Sequence, residues 1–555
     1  MRPRTLHGTV ALAMAQAIAL ACARAGAVQA ADETAAPAPA AAPAAASAPA
    51  AAAAEAKARF DILEIRVLGN TALKSRVIEA ATYPFLGYHR SIEDVEAARV
   101  ALEAAYHEAG YATVFVDIPE QQVEDGLVRL QVTEGKVDRV RTQNTRYFSN
   151  RWIRSSLPEL QAGNVPRLPE LQAELATLNS RTPDLSVTPV LKAGRSPGTV
   201  DINLKVVDTL PLHESLELND RYTANTSRLR ASGSVSYTNL FQMQHAISLQ
   251  YQSSVQEPKE VRAIVASYSM PVRSVEGLSL AFYGVDSKSD VLAVGTLGVL
   301  GTGRIYGARA IYSPRVVGAT TLHTTTLGVD YKNFLEDINL KNNVSAKTPI
   351  KYINWSFGHS LTFLQPTYQL QVDATGNFGV RGVLNETDNF LNKRYSGSPN
   401  YFDLHAGVQY TRQLADHLQG FARLGGQYSP DALVSNEQYA MGGLDTVRGY
   451  TEAAQLGDRG YSATLELRTN ILAKPLHVPE SLLHGFVFID YGAISVYKPL
   501  PGQITSFQLG SYGLGVRLLP WHGFSTDLEW AVAAKESGAT KKGSSRAHLS
   551  LKWAH

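Results

Sequence analysis

At 555 residues, 45% of them hydrophobic, the chain is long enough for several domains and has the apolar content of an ordinary folded protein. Its formal net charge of +2 gives no sign of a nucleic-acid partner or an acidic substrate. The only cysteine, Cys22, excludes a disulfide framework, a cysteine metal site and a cysteine nucleophile from everything downstream of the first segment. Tyrosine outnumbers phenylalanine, 25 to 17, a bias that suits strands and wet–dry boundaries.

Residues 1–30 read as an export signal. Arg2 and Arg4 give a positive start, Val10 to Ala23 is an apolar run short for a membrane span, and Val28-Gln29-Ala30 supplies a small-residue cleavage site. A lipoprotein reading at Cys22 is disfavoured by Ala19, where leucine is expected. Residues 31–58 are alanine broken by Pro37, Pro39, Pro43 and Pro49, a low-complexity linker whose last turn, "AAAAEAKAR", has helical propensity.

The texture changes at Phe60. Residues 59–135 read as a first α+β unit. "FDILEIRVLGN" is a strand closed by a Gly-Asn turn. "SIEDVEAARVALEAAYHEAGY" is a helix with Ser91 as N-cap, Asp94 three residues on, Ile92, Val95, Leu102 and Tyr106 near one face, and Gly110 as its stop. "TVFVDI" and "LVRLQVTEG" are strands joined at "EDG". Residues 136–209 read as a second such unit, with strand "VDRVRTQNT", helices "NRWIRSSL" and "LPELQAELATLNS", and a hairpin of "LSVTPVL" and "TVDINLKVVD" across "GRSPG". The order strand, helix, helix, strand, strand repeats, and Asn70-Thr71 recurs as Asn144-Thr145, though the flanking apolar phase does not.

Residues 210–555 alternate to the end. Ile247, Leu249 and Tyr251 oppose Ala246, Ser248 and Gln250, and Phe524, Leu528, Trp530 and Val532 oppose Ser525, Asp527 and Glu529. Alternation sustained this far predicts an all-β transmembrane barrel, with lipid-facing and lumen-facing positions in turn. Candidate strands centre on Leu216, Ala231, Ile247, Ile264, Leu280, Ala308, Thr325, Asn354, Leu370, Leu404, Ala422, Thr464, Val487, Leu509, Leu528 and Leu549, which makes sixteen. An even count puts both ends of the barrel on one side, so odd-to-even connections face outward.

The sixth outward connection, of about 30 residues from Pro430 to Gly460, is long enough to expect a function. It carries "GGLDTVRGY", with Val447, Arg448, Gly449 and Tyr450 at its end. Arg448 has two readings: a solvated loop arginine, or a guanidinium folded into the lumen in search of a carboxylate. The thirteenth strand, "GFVFIDYG", offers one. With Val487, Ile489 and Tyr491 facing lipid, Phe486, Phe488, Asp490 and Gly492 turn inward, and Gly492 leaves room for the loop backbone. Glu466, inward on the twelfth strand, is the competing partner. The pair is expected in a partly wet lumen, its strength between that of an exposed pair and a dry one.

Together, "VRGY" in the sixth loop, "FIDYG" on the thirteenth strand, "GDRGYSATLELR" after the loop and two units ahead of a sixteen-strand barrel resemble the two-partner secretion transporters, FhaC/ShlB/HecB-type haemolysin secretion and activation proteins of the outer-membrane barrel-assembly superfamily. The resemblance runs from about residue 59 to the end. It implies that the soluble units are polypeptide-transport-associated (POTRA) domains in the periplasm and that Arg448 pairs with Asp490. It implies export of an adhesin- or haemolysin-like passenger, recognised through its N-terminal secretion domain, and insertion into the lipid outer membrane by the barrel-assembly machinery. The chain departs from the family's aromatic last residue, ending Trp553-Ala554-His555, and its proline-broken tract is a poor plug helix.

No other motif carries chemistry. "GHSLT" lacks the second glycine of a nucleophile elbow, and "GTGRIYG" has the wrong spacing for a dinucleotide loop. The expectation is a transporter with no enzymatic role, no cofactor, no metal and no nucleic-acid partner. The rival readings are a factor that assembles other outer-membrane proteins, and a passive porin.

Overall fold

The computed structural model describes residues 59–224, 226–288, 292–294, 297–299, 301–314, 320–335, 337–340, 344–470 and 482–555. The export signal and the proline-broken segment lie outside them. Two compact units meet at Leu210 and Pro211 in the sequence.

The first unit holds two α+β repeats. In one, Glu64–Leu68 runs parallel to Leu127–Glu134, which pairs antiparallel with Val114–Asp117. Helices Ser75–Thr82 and Ile92–Glu108 complete it. The second helix starts where its cap dictates: the Asp94 carboxylate accepts the Ser91 N–H at 2.8 Å, and that bond holds Asp94 below the usual carboxylate range. Val95, Ala98, Leu102 and Tyr106 are buried. Ile92, expected on that face, is 58% exposed, because at 100° per residue it falls on the edge of the stripe. The opening segment is not one strand. It breaks at Leu63, and Phe60–Ile62 forms a separate two-stranded sheet with Gly87–Arg90.

In the other repeat, Lys136–Gln143 is parallel to Thr199–Asp208, which pairs antiparallel with Leu185–Ala193, beside helices Asn150–Ser155 and Leu168–Asn179. The recurrent Asn-Thr acquires a reason. After it, the backbone turns its N–H groups toward a carboxylate at the end of the repeat's central strand. Thr71 and Ala72 donate to Glu134 at 2.6 and 2.7 Å, and Arg146 and Tyr147 to Asp208 at 2.8 and 2.6 Å. Gly110, at φ +94°, lets the repeats touch: a Cβ there would lie 2.8 Å from Pro169, and the Gly110 carbonyl accepts the Leu168 N–H at 2.8 Å.

The second unit is a closed barrel of sixteen antiparallel strands. Each of the sixteen centres read from the sequence falls in a different one. The last strand, Ser545–Ala554, closes on the first, Leu212–Asn219, with Trp553 opposite Leu216. Glu214 and His555 exchange backbone hydrogen bonds of 3.0 and 2.9 Å, so the barrel's two ends share a rim. Leu249, Leu327, Leu465 and Ile489 are 49, 57, 63 and 63% exposed on an apolar outer surface. Their strand neighbours turn inward, as period-two alternation requires.

Candidate functional site

The connection between the eleventh strand, Leu418–Tyr428, and the twelfth, Arg459–Asn470, folds into the lumen. Inside it Tyr439–Met441 pairs with Gln455–Gly457 as a short hairpin, and Tyr439, Met441, Val447 and Tyr450 are fully buried. Gly442 and Gly443, at φ +111° and +100°, start the turn, and the Thr446 hydroxyl accepts the Gly442 N–H at 2.9 Å. These contacts hold Arg448 at the tip.

The structure brings Arg448 against Asp490. Nε donates to Oδ2 at 2.9 Å and Nη2 to Oδ1 at 2.7 Å, and the Arg448 backbone N–H adds a bond to Oδ2 at 3.1 Å. Glu466 is not an alternative to Asp490 but a simultaneous partner, accepting from Nη1 at 2.8 Å. Glu529 on the fifteenth strand, Phe524–Ala533, also accepts from Nη1, at 3.1 Å. The environment is dry rather than partly wet: the Arg448 and Asp490 side chains are 3% and 0% exposed.

The neighbours match the parity of the wall. Strand thirteen, Leu483–Ser495, points Phe486, Phe488 and Asp490 inward while Val487 and Ile489 are exposed. The Arg448 guanidinium lies 3.3 Å from the Phe488 ring centre. Strand fourteen, Ser506–Trp521, makes space with Gly513, where a Cβ would come within 2.5 Å of the Phe488 ring. Asp490 also accepts Thr464 and Ser511 hydroxyls, each at 3.0 Å. Gly449 runs close along the wall, a Cβ there lying 3.0 Å from Ser511 and Ala533. Gly492 makes room for a side chain rather than loop backbone, since its Cβ would meet the Met441 sulfur at 2.3 Å. The Tyr450 hydroxyl lies 2.6 Å from the Lys535 carbonyl and 3.2 Å from that of Gly510.

Sequence reading missed several members of this site. Arg468 donates to Glu466 at 2.8 Å, and Arg517 binds Asp527 and reaches Glu529 at 3.3 Å. His548 Nε2 sits 2.7 Å from the Arg448 carbonyl. Inward parity on strands twelve to sixteen could have found the four charged ones. The loop's other attachments carried no such signal. Arg221, in the first outward connection, binds Asp445 and Glu452, and Glu437 accepts from Lys332 at 2.6 Å and from the Tyr352 hydroxyl at 2.5 Å. Lys332 lies on strand seven, Thr321–Phe334, and Tyr352 on strand eight, Ile350–Leu364. The loop is therefore pinned to two different parts of the wall.

Comparison with known proteins identifies the family of the chain. The family model described as haemolysin secretion/activation protein ShlB/FhaC/HecB matches residues 198–518, more than half of the chain, and that of the ShlB-type POTRA domain matches residues 60–135. The chain is 26% identical over 489 residues to the outer membrane transporter CdiB of Dickeya dadantii, covering 85% of this chain and 83% of that one. It is 25% identical over 450 residues to the hemolysin transporter protein ShlB of Serratia marcescens, covering 76% and 73%. Among solved structures it resembles CdiB from Escherichia coli, with a TM-score of 0.59 at 17% identity over 92% of this chain and 93% of that one. It also resembles BamA from Haemophilus ducreyi lacking POTRA domains 1–3, with a TM-score of 0.56 at 13% identity over 89% and 100%, and both of these likenesses speak for the fold alone. The chain belongs to the ShlB/FhaC/HecB family: it is an outer-membrane transporter with periplasmic POTRA domains that exports a partner protein by two-partner secretion.

Proposed function

We propose that the sixth loop is the plug of this protein-conducting barrel and that Arg448, bound to Asp490, is the lock that keeps it in the lumen. One observation carries the reading: every nitrogen of a buried guanidinium on a loop has a carboxylate of the wall as its partner. An exposed loop arginine would contribute ~0–1 kcal/mol. Stripping a partner from a buried pair costs about 3–5 kcal/mol, enough to decide whether a loop stays in place. Once the loop has left, a sixteen-strand barrel encloses an aqueous lumen wide enough for an extended chain. No covalent step is assigned to the protein.

The passenger's N-terminal secretion domain docks on the periplasmic repeats by strand addition. Each repeat has a three-stranded sheet with two edges, and the edge strand Val114–Asp117 carries Phe115, 60% exposed. The barrel-assembly machinery inserts the chain into the outer membrane. Family membership favours export over assembly of other barrels, and the repeats give a passive porin no use for a docking module.

The test of the lock is secretion of the co-expressed partner by Arg448→Ala and Asp490→Ala barrels that still shift on gels when heated. Normal secretion by both would remove it. For docking, residues 59–208 should bind the passenger's N-terminal domain, and a fragment that folds without binding would refute strand addition. A tag at the C-terminus should stay unlabelled on intact cells.

A further inference from the structure

Asp458, the residue before the twelfth strand, has no part in the lock yet is 0% exposed. Its carboxylate takes hydrogen bonds from three outward loops. Oδ1 accepts Arg394 Nη1 at 2.9 Å, the Leu433 N–H at 2.9 Å and Gln438 Nε2 at 3.3 Å. Oδ2 accepts Arg394 Nη2 and the Tyr497 N–H, each at 2.6 Å. Arg394 follows the short helix Thr387–Lys393 in the fifth loop, between strand nine, Tyr368–Gly379, and strand ten, Phe402–Ala415. Its guanidinium also donates to the carbonyls of Leu433 at 2.6 Å and Tyr497 at 2.9 Å. The pairing is fork to fork, the same chemistry as Arg448 on Asp490, repeated at the outer mouth.

We propose that Asp458 is a positioning residue for export, a wall-fixed anchor that clasps the fifth loop through Arg394 and gives the closed channel a second closure point, independent of Arg448. The division between fixed and moving parts supports this. The Asp458 N–H bonds to the Ser495 carbonyl at 2.9 Å, and the next residue, Arg459, pairs with Ser495, so Asp458 belongs to the wall. Arg394 and Leu433 belong to loops. The fifth loop also sends Phe390 and Tyr401, each 1% exposed, into an apolar cluster shared with Leu433 and Val434 of the sixth. A contact serving the wall alone would join strand to strand. This one reaches past the strand end to hold three loops, and releasing Arg394 removes a charge pair of the fifth loop with the wall.

The inference rests on the reading of the sixth loop as a plug. The experiment is single-channel recording in KCl of the full-length protein in planar phospholipid bilayers, with heat-modifiability as the check on folding. Wild type is compared with Arg394→Gln, Arg394→Lys, Arg448→Ala and the Arg394→Gln/Arg448→Ala double variant. Arg394→Gln should raise open-channel occupancy roughly tenfold, equivalent to about 1.4 kcal/mol. Arg394→Lys should fall between it and wild type, because one ammonium cannot serve both oxygens in a fork. The double variant should approach the product of the single effects, since the two clasps share no partner. A folded Arg394→Gln barrel with wild-type occupancy overturns the proposal. So does failure of both Arg394 variants to fold, which would make the pair a staple of the barrel. If Arg394→Gln opens the channel and Arg448→Ala does not, the clasp stands and the lock is at fault. The reverse result leaves the lock and removes the clasp.

Discussion

The lumen has two unlike walls. Strands twelve to fifteen present Glu466, Arg468, Asp490, Arg517, Asp527 and Glu529 around the Arg448 guanidinium. From strand four, Arg262–Pro271, to strand eight, the inward residues near the outer rim include Ala263, Val265, Val285, Ile305, Phe334 and Ile350, which form one apolar cluster with Phe390, Tyr401, Leu433 and Val434 of the loops, beside the buried Ser287 and Lys332. One side holds the plug by directed hydrogen bonds, the other mostly by covering apolar surface. The first kind of contact is all-or-none and geometric. The second is non-directional and tolerates repacking. The sixth loop has both kinds of contact, and the difference can be tested side by side.

The largest effect should come from breaking the charged wall. Arg448→Ala leaves three buried carboxylates short of their shared cation, and Asp490→Ala leaves the guanidinium without its fork. Each should cost the closed state about 3–5 kcal/mol. Secretion of the partner should drop sharply in both while the barrel stays heat-modifiable. Combining them should add little, because both remove one interaction. Glu466→Ala and Glu529→Ala should each couple to Arg448→Ala as well, but more weakly, since each receives a single bond from that arginine. Independent, additive effects for all three carboxylates would mean that Arg448 does not organise this wall.

The comparison sharpens at the charge pair on the apolar side. Glu437→Ala should open the channel, because it strands Lys332, 1% exposed, among Phe334 and Tyr352. The double change Lys332→Met/Glu437→Leu should return it close to the closed state, since the Tyr352 ring and Phe334 lie beside it and a buried pair is often replaceable by residues of similar volume. The parallel change Arg448→Met/Asp490→Leu should not, because it leaves Glu466 and Glu529 without the bonds Arg448 gave them. Bilayer conductance of the two double variants decides it. Equal rescue of both would erase the distinction between the walls.

That asymmetry also explains what the sequence could reveal. The charged wall was legible, because "GFVFIDYG" has one charged residue in an otherwise apolar alternation, so parity aims Asp490 inward and likewise Glu466 and Glu529. The apolar wall was not. On the fifth strand Phe282 faces out, 46% exposed, while Tyr283 and Val285 face in, 8% and 2% exposed, so both faces are apolar and the alternation carries no message about the lumen. The Glu437–Lys332 and Asp458–Arg394 pairs were illegible for another reason. They join a loop to a strand and a strand end to a loop, between segments that no periodicity relates. The Asn-Thr repeat lay between these cases. It was visible as letters, but its purpose required the carboxylates of Glu134 and Asp208, which sit far along the chain.

The smallest expected effect is the most discriminating, because it compares two conservative substitutions. Arg448→Lys keeps a positive charge in a site whose total charge is unchanged, and Phe390→Leu keeps an apolar side chain of lesser volume. If contact character were the same on both walls, the two would be similarly tolerated. On the charged wall the lysine ammonium is a compact donor that cannot bridge both Asp490 oxygens while also reaching Glu466 and Glu529, so the variant should leak and secrete poorly, part of the way toward Arg448→Ala. On the apolar wall, leucine loses the ring contacts that Phe390 makes with Tyr352 and Tyr401, at 5.6 and 6.0 Å between centres, but neighbours can close around it. The cost there should stay below about 1.5 kcal/mol. Killing by vancomycin, which intact outer membranes exclude, reads both variants in one assay. Arg448→Lys cells should be sensitised and Phe390→Leu cells nearly as resistant as wild type. Sensitisation in the opposite order would place the decisive contact of the plug on the apolar side and make the arginine pair secondary.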